Sequence, residues 1–121
     1  MSRRVLVIDD SDLIREVAKL ALGRAGWEVL VAEDGTAGAE LAATERPDAI
    51  LLDVVMDGLD GPQTLARLRA QDETRDTPVL YLTAKADDEH FDADGAQGVL
   101  AKPFDIGSLA GDVAAALGWQ T

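Results

Sequence analysis

A chain of 121 residues with 47% hydrophobic and 28% charged residues has the size and composition of one globular domain around a single core. Its 23 acidic residues against 11 basic ones give a formal charge of -12, which repels phosphate backbones, argues against direct nucleic-acid binding and favours a basic partner surface or a divalent cation. The absence of cysteine excludes disulfides and thiolate metal sites, and the short apolar run Val5–Ile8 behind Met1-Ser2-Arg3-Arg4 cannot serve as a signal peptide or membrane span, so a soluble cytoplasmic protein is expected.

Short apolar runs alternate with segments of helical period. Val5–Ile8 is aliphatic without polar alternation, the pattern of a strand buried on both faces. Leu13, Ile14, Val17, Ala18, Leu20 and Ala21 then form a helical stripe, with Ser11 or Asp12 as its cap and Gly23 and Gly26 at its end. Residues 27–32 predict a second strand. Asp34-Gly35 turns the chain into a small helix over 36–44, which Pro47 ends. A third strand covers Ala49–Asp53, and a third helix covers 62–70 with Pro62 at a favoured first-turn position. Val79–Thr83 and 99–101 predict the fourth and fifth strands, with a short fourth helix between Ala86 and Gly98. A final helix over 106–117 carries Leu109, Val113 and Leu117 on one stripe. Strands interleaved with helices imply an α/β fold, a doubly wound parallel sheet with helices on both faces and right-handed crossovers. No repeat or linker interrupts it, so one domain is expected over residues 1–121.

Such a sheet binds ligands at the carboxyl ends of its strands. Those ends carry Asp9-Asp10, Asp53, Thr83 and Lys102. Three neighbouring carboxylates repel one another unless a cation compensates them, and an all-oxygen ligand set suits Mg²⁺ or Mn²⁺ better than zinc. A lysine and a hydroxyl beside such a cation can hold the remaining oxygens of a phosphoryl group. Each residue taken alone has a plainer reading: Asp9 and Asp10 as helix caps, Asp53 as a loop acid, Thr83 as a strand residue, Lys102 as a surface lysine. His90 and the run Asp87-Asp88-Glu89 read as solvated surface.

Four segments, VLVIDDS, LLDVVMDGLDG, PVLYLTA and AKPF, stand in an order and spacing by which the chain resembles a receiver domain of bacterial two-component response regulators, of the stand-alone chemotaxis-regulator type. The resemblance implies a flavodoxin-like strand order 2-1-3-4-5 and a switch phosphorylated on Asp53. It implies Mg²⁺ held by Asp9, Asp10, Asp53 and the main-chain carbonyl of Val55, with Thr83 and Lys102 on the phosphoryl group and a cis peptide at Lys102-Pro103. A histidine kinase, a histidine phosphotransfer protein or a small phosphodonor would supply phosphate, and an unknown downstream protein would read the result from a monomer or weak dimer.

Several positions depart from that pattern. Val99 stands where Tyr or Phe is usual, so an aromatic rotamer switch cannot operate in its ordinary form. The interval from Thr83 to Lys102 is short, and Asp57 replaces a frequent proline. Lys85 is expected to reach the phosphoryl group, and Val55 to disfavour an ordered attacking water, which together predict slow dephosphorylation. Competing readings are a Mg²⁺-dependent phosphatase or phosphotransferase with Asp53 as nucleophile, a flavin-binding module, and a degenerate receiver acting as a constitutive binding surface. The phosphatase reading lacks an acid at Val55, and the flavin reading meets the wrong charge at Asp9-Asp10. Trp119 either extends a dimer contact or packs back on the final helix.

Overall fold

The structure, a computed structural model, describes residues 3–56, 58–83, 96–102 and 104–119. Its elements are β1 (Arg4–Ile8), α1 (Asp12–Gly23), β2 (Glu28–Ala32), α2 (Gly35–Glu45), β3 (Ala49–Asp53), α3 (Gly61–Ala70), β4 (Val79–Thr83), β5 (Gly98–Ala101) and α4 (Leu109–Leu117). The five strands are parallel throughout and lie in the order β2-β1-β3-β4-β5. The expected short fourth helix, Lys85, His90, Asp57 and the Lys102-Pro103 peptide fall wholly or largely outside the described residues.

The continuous apolar runs have a simple consequence in this sheet: alternate residues of one strand face opposite layers. Leu6, Ile8, Ile50, Leu52, Val79 and Tyr81 pack with Ala39 and Ala42 of α2 and Leu65 and Leu68 of α3. Val5, Val7, Leu51, Leu80 and Leu82 pack on the other side with Ala18, Ala21 and Leu22 of α1 and Leu109 and Val113 of α4. A helix layer on each face therefore satisfies both sets, and β1, β3 and β4 lie sealed in the middle.

Local chemistry sets the helix starts. Ser11 caps α1 by accepting from the Ile14 N–H, and Asp34 caps α2 through the Ala37 N–H. Asp60 and Gln63 form a reciprocal capping box on α3. The last helix corrects the sequence reading: 106–108 form a turn, and α4 begins at Leu109. Asp105 explains the delay, since its carboxylate accepts from the Gly107 N–H at 2.8 Å and its carbonyl from Ser108 and Leu109. This closes an Asx-type turn before the helix starts. Trp119 is half-buried, and it meets Trp27 edge-on at 5.4 Å under the Arg3 guanidinium. It therefore packs back on the cluster that includes Leu109 and Val113 of α4, as one of the two sequence readings has it, and also on the segment leading into β2.

The loop after β3 is clamped where it enters α3. A Cβ on Gly61 would lie 2.7 Å from Val54 Cα and 2.9 Å from the Asp53 carbonyl oxygen, and the Gly61 N–H donates to the Val54 carbonyl at 2.8 Å. Replacing glycine by alanine inside an open helix stabilises it by roughly 0.5–1 kcal/mol. At Gly61 the sign reverses: Gly61→Ala is expected to destabilise the protein by about 1 kcal/mol, because the colliding atoms are backbone and cannot swing aside. Urea denaturation checks this, and a gain in stability would refute the clamp.

Candidate functional site

The register of the sheet assembles the polar edge foreseen above. Ile8 pairs with Leu52, so Asp9 and Asp53 follow side by side at the ends of β1 and β3. Asp53 pairs with Leu82 and Thr83 with Ala101, which brings Thr83 and then Lys102 to the same edge from β4 and β5. Carboxylate oxygens of Asp9, Asp10 and Asp53 all lie within 4.8 Å of one another. Asp9 is fully buried, Asp53 and Thr83 nearly so, and Asp10 is exposed at the mouth.

Lys102 ties the two buried acids together. Its Nζ donates to Asp9 Oδ2 at 3.0 Å and to Asp53 Oδ1 at 3.1 Å, with the lysine side chain only 18% exposed. Asp9 Oδ1 accepts from the Ser11 N–H at 2.9 Å, and Asp53 Oδ1 accepts weakly from the Val55 N–H at 3.3 Å. The side chain of Val55 is 77% exposed beside this edge.

The charges do not cancel. Three carboxylates face one ammonium, which leaves an excess of two negative charges in and beside a buried setting. Burial pushes the Asp53 carboxyl above the ordinary carboxylate range; the neighbouring Asp9 adds to the rise, and Lys102 and the Val55 N–H oppose it. Burial alone would lower Lys102, yet the combined pull of Asp9 and Asp53 outweighs it and holds the ammonium above its usual range. An excess of two, presented by hard oxygen donors, fits a divalent cation of the Mg²⁺ type.

The sequence-predicted Asp9, Asp10, Asp53, Thr83 and Lys102 thus share one edge. Val55 lies in the loop directly beyond Asp53. One contributor was missed, Arg15 of α1. Its Nη1 donates to the Asp9 carbonyl oxygen at 2.6 Å, and its Nη2 pairs with the Asp12 carboxylate. No local pattern announces it, because helical side chains lean towards the N-terminus and the contact reaches back over a whole turn.

Known proteins carry the same framework. The chain is 39% identical over 118 residues to the DNA-binding dual master transcriptional regulator RpaA of Synechocystis, covering 94% of this chain and 48% of that protein. It therefore spans about half the length of the curated relatives it matches. Among solved structures, the chemotaxis protein CheY4 of Vibrio cholerae superposes with a TM-score of 0.89 at 34% identity, over 96% of this chain and 99% of that one. The receiver domain of the sensor histidine kinase PA1611 of Pseudomonas aeruginosa, solved with a magnesium ion in its active-site cleft, superposes with a TM-score of 0.86 at 29% identity, over 98% of this chain and 99% of that one. The model of the response regulator receiver domain matches residues 5–114. These likenesses do not favour the phosphatase or flavin readings. Sheet order, acid cluster and sequence agree: the chain belongs to the response regulator receiver domain family, the regulatory phosphoacceptor switches of two-component signalling.

Proposed function

We propose that this chain accepts a phosphoryl group on Asp53 and thereby changes its affinity for a protein partner. The observation that carries the reading is Lys102 bridging Asp9 and Asp53 beside a cluster with two uncompensated negative charges. Asp9, Asp10, Asp53 and the main-chain carbonyl of Val55 would hold Mg²⁺. When bound, that ion supplies charge neutralisation for the incoming phosphoryl oxygens.

The protein's own residues supply the rest. An Asp53 carboxylate oxygen attacks phosphorus in line, the bond from phosphorus to the donor's nitrogen or oxygen breaks, and the donor leaves with that electron pair. Lys102 passes from the carboxylates to a phosphoryl oxygen, and the Thr83 hydroxyl donates to another. The acyl phosphate later loses its phosphoryl group to water, which restores the carboxylate and resets the switch. The transfer is promoted by the domain itself, with positioning and electrostatics as its means.

The donor is a histidine kinase or a histidine phosphotransfer protein, and the reader is a protein. The strongly acidic surface disfavours direct contact with nucleic acid. No helix among the described residues is long and apolar enough to cross a membrane. A cytoplasmic domain spanning residues 1–121, monomeric or weakly dimeric, fits these features. Intact-protein mass spectrometry after incubation with acetyl phosphate and Mg²⁺ tests the proposal. The expected result is a gain of one phosphoryl mass that disappears in Asp53→Asn and without the metal. A persistent gain in Asp53→Asn would move the acceptor elsewhere, and no gain in the wild type, with no binding of beryllofluoride, would leave a receiver fold without receiver chemistry.

A further inference from the structure

Asp9 is held at every polar atom it offers. Its N–H donates to the Ala32 carbonyl at 3.1 Å, its Oδ1 accepts from the Ser11 N–H, its Oδ2 from Lys102, and its carbonyl oxygen from Arg15 Nη1 at 2.6 Å. The carbonyl contact differs from the others in what it orients. The carbonyl oxygen of Asp9 lies in the same rigid peptide plane as the nitrogen of Asp10, so fixing one fixes the direction in which the Asp10 chain departs. Asp10 is the exposed member of the cluster, and its side chain has no hydrogen bond among those described that would aim it. Arg15, with its side chain 14% exposed, spans the first turn of α1 with both arms of the guanidinium: one on Asp9, the other on the 93% exposed Asp12. Its fork suits two fixed acceptors in a way that a lysine does not.

Resting on the reading of Asp9, Asp10 and Asp53 as a divalent-cation site, we infer that Arg15 is a positioning residue that sets this site's preference for Mg²⁺ over larger cations by fixing the Asp9-Asp10 peptide plane. Mg²⁺ requires a near-ideal octahedron at short distances, whereas Ca²⁺ accepts irregular geometry and more ligands. Loosening the plane that carries Asp10 therefore costs Mg²⁺ more than Ca²⁺. Two plainer roles would leave the ratio unmoved. The positive charge of Arg15 repels both divalent ions alike, and a purely structural staple, when removed, would weaken both alike.

Isothermal titration of Mg²⁺ alone and Ca²⁺ alone, into wild type, Arg15→Met and Asp12→Ala, separates these roles. In Arg15→Met the Mg²⁺ dissociation constant is expected to rise about tenfold, the lower end of what loss of an orienting partner costs a metal site. The Ca²⁺ constant is expected to move much less. Asp12→Ala, which removes only the exposed arm, is expected to keep both constants within about twofold of wild type. If Arg15→Met does not fold, Arg15→Leu carries the same comparison, since it too keeps an apolar stem and offers no donor to the Asp9 carbonyl. A ratio of Mg²⁺ to Ca²⁺ affinity unchanged from wild type overturns the inference while leaving the cation site intact. Failure of the wild type to bind Mg²⁺ removes the site reading and the inference together.

Discussion

Lys102→Met is expected to destabilise the metal-free protein by about 3 kcal/mol at neutral pH, because breaking a buried ion pair from one side leaves its partner unpaired. Methionine keeps much of the length and apolar stem of lysine, so the loss reports charge rather than volume. Asp9, fully buried, and Asp53, nearly so, would then face each other with no ammonium between them. The pH dependence follows from the direction of each shift. Lys102 is raised, so its contribution is complete below the ordinary lysine value of 10.5 and fades as pH climbs through its higher folded value. The deficit of Lys102→Met should therefore be steady through neutrality and shrink in alkali. It should shrink in acid too, as protonation of Asp53, whose carboxyl is raised by burial, lessens the need for a cation. Urea denaturation at acidic, neutral and alkaline pH checks this, and a deficit independent of pH would assign Lys102 a packing role instead.

The position of this pair shows how far the residues alone could lead. Asp9-Asp10, Asp53, Thr83 and Lys102 were readable because each closes an apolar run, and in a parallel sheet runs end on a common edge. The strand order, which only the family resemblance implied, matched as well. What could not be read was the contact within the site. A lysine expected to face a phosphoryl group spans two carboxylates, a consequence of distances between residues 93 and 49 positions apart in sequence. Arg15 escaped for the complementary reason. It looked like an ordinary polar position on an amphipathic helix, and only the backward lean of its side chain gives it to Asp9. The start of α4 was misplaced although its signal was present, since Asp105 two residues before Gly107 is an Asx turn in waiting. The apolar stripe runs on through a turn that this side-chain acceptor closes.

Asp53→Asn carries the second large effect, and it acts in opposite directions on function and stability. The variant retains the shape of the side chain but loses the carboxylate proposed as the nucleophile, so phosphoryl labelling should vanish. Yet the metal-free variant should be more stable than wild type at neutral pH. Burial first, and Asp9 second, raise the Asp53 carboxyl above 3.8, so ionising it costs more in the folded protein than in the unfolded chain. The sign is then fixed: wild-type stability falls as pH rises from the unfolded carboxylate value through the raised folded one, and the penalty persists at higher pH. Asparagine removes that slope while Lys102 keeps Asp9 as a partner. A rise in the melting midpoint on the order of 4 °C is the scale that about 1 kcal/mol produces in a domain of this size. The advantage should dwindle towards acid, where wild-type Asp53 is protonated as well. Saturating Mg²⁺ should reverse the ranking, because a ligand that binds only the folded state at a hundred times its dissociation constant adds about 2.7 kcal/mol, and the variant offers the cation a neutral amide oxygen in place of a charged carboxylate. Thermal melts of both proteins with and without Mg²⁺ across this pH range would show the crossing. A wild type that is the more stable of the two without metal would mean that Lys102 fully offsets the buried charge, and that the site holds no excess for a cation to relieve.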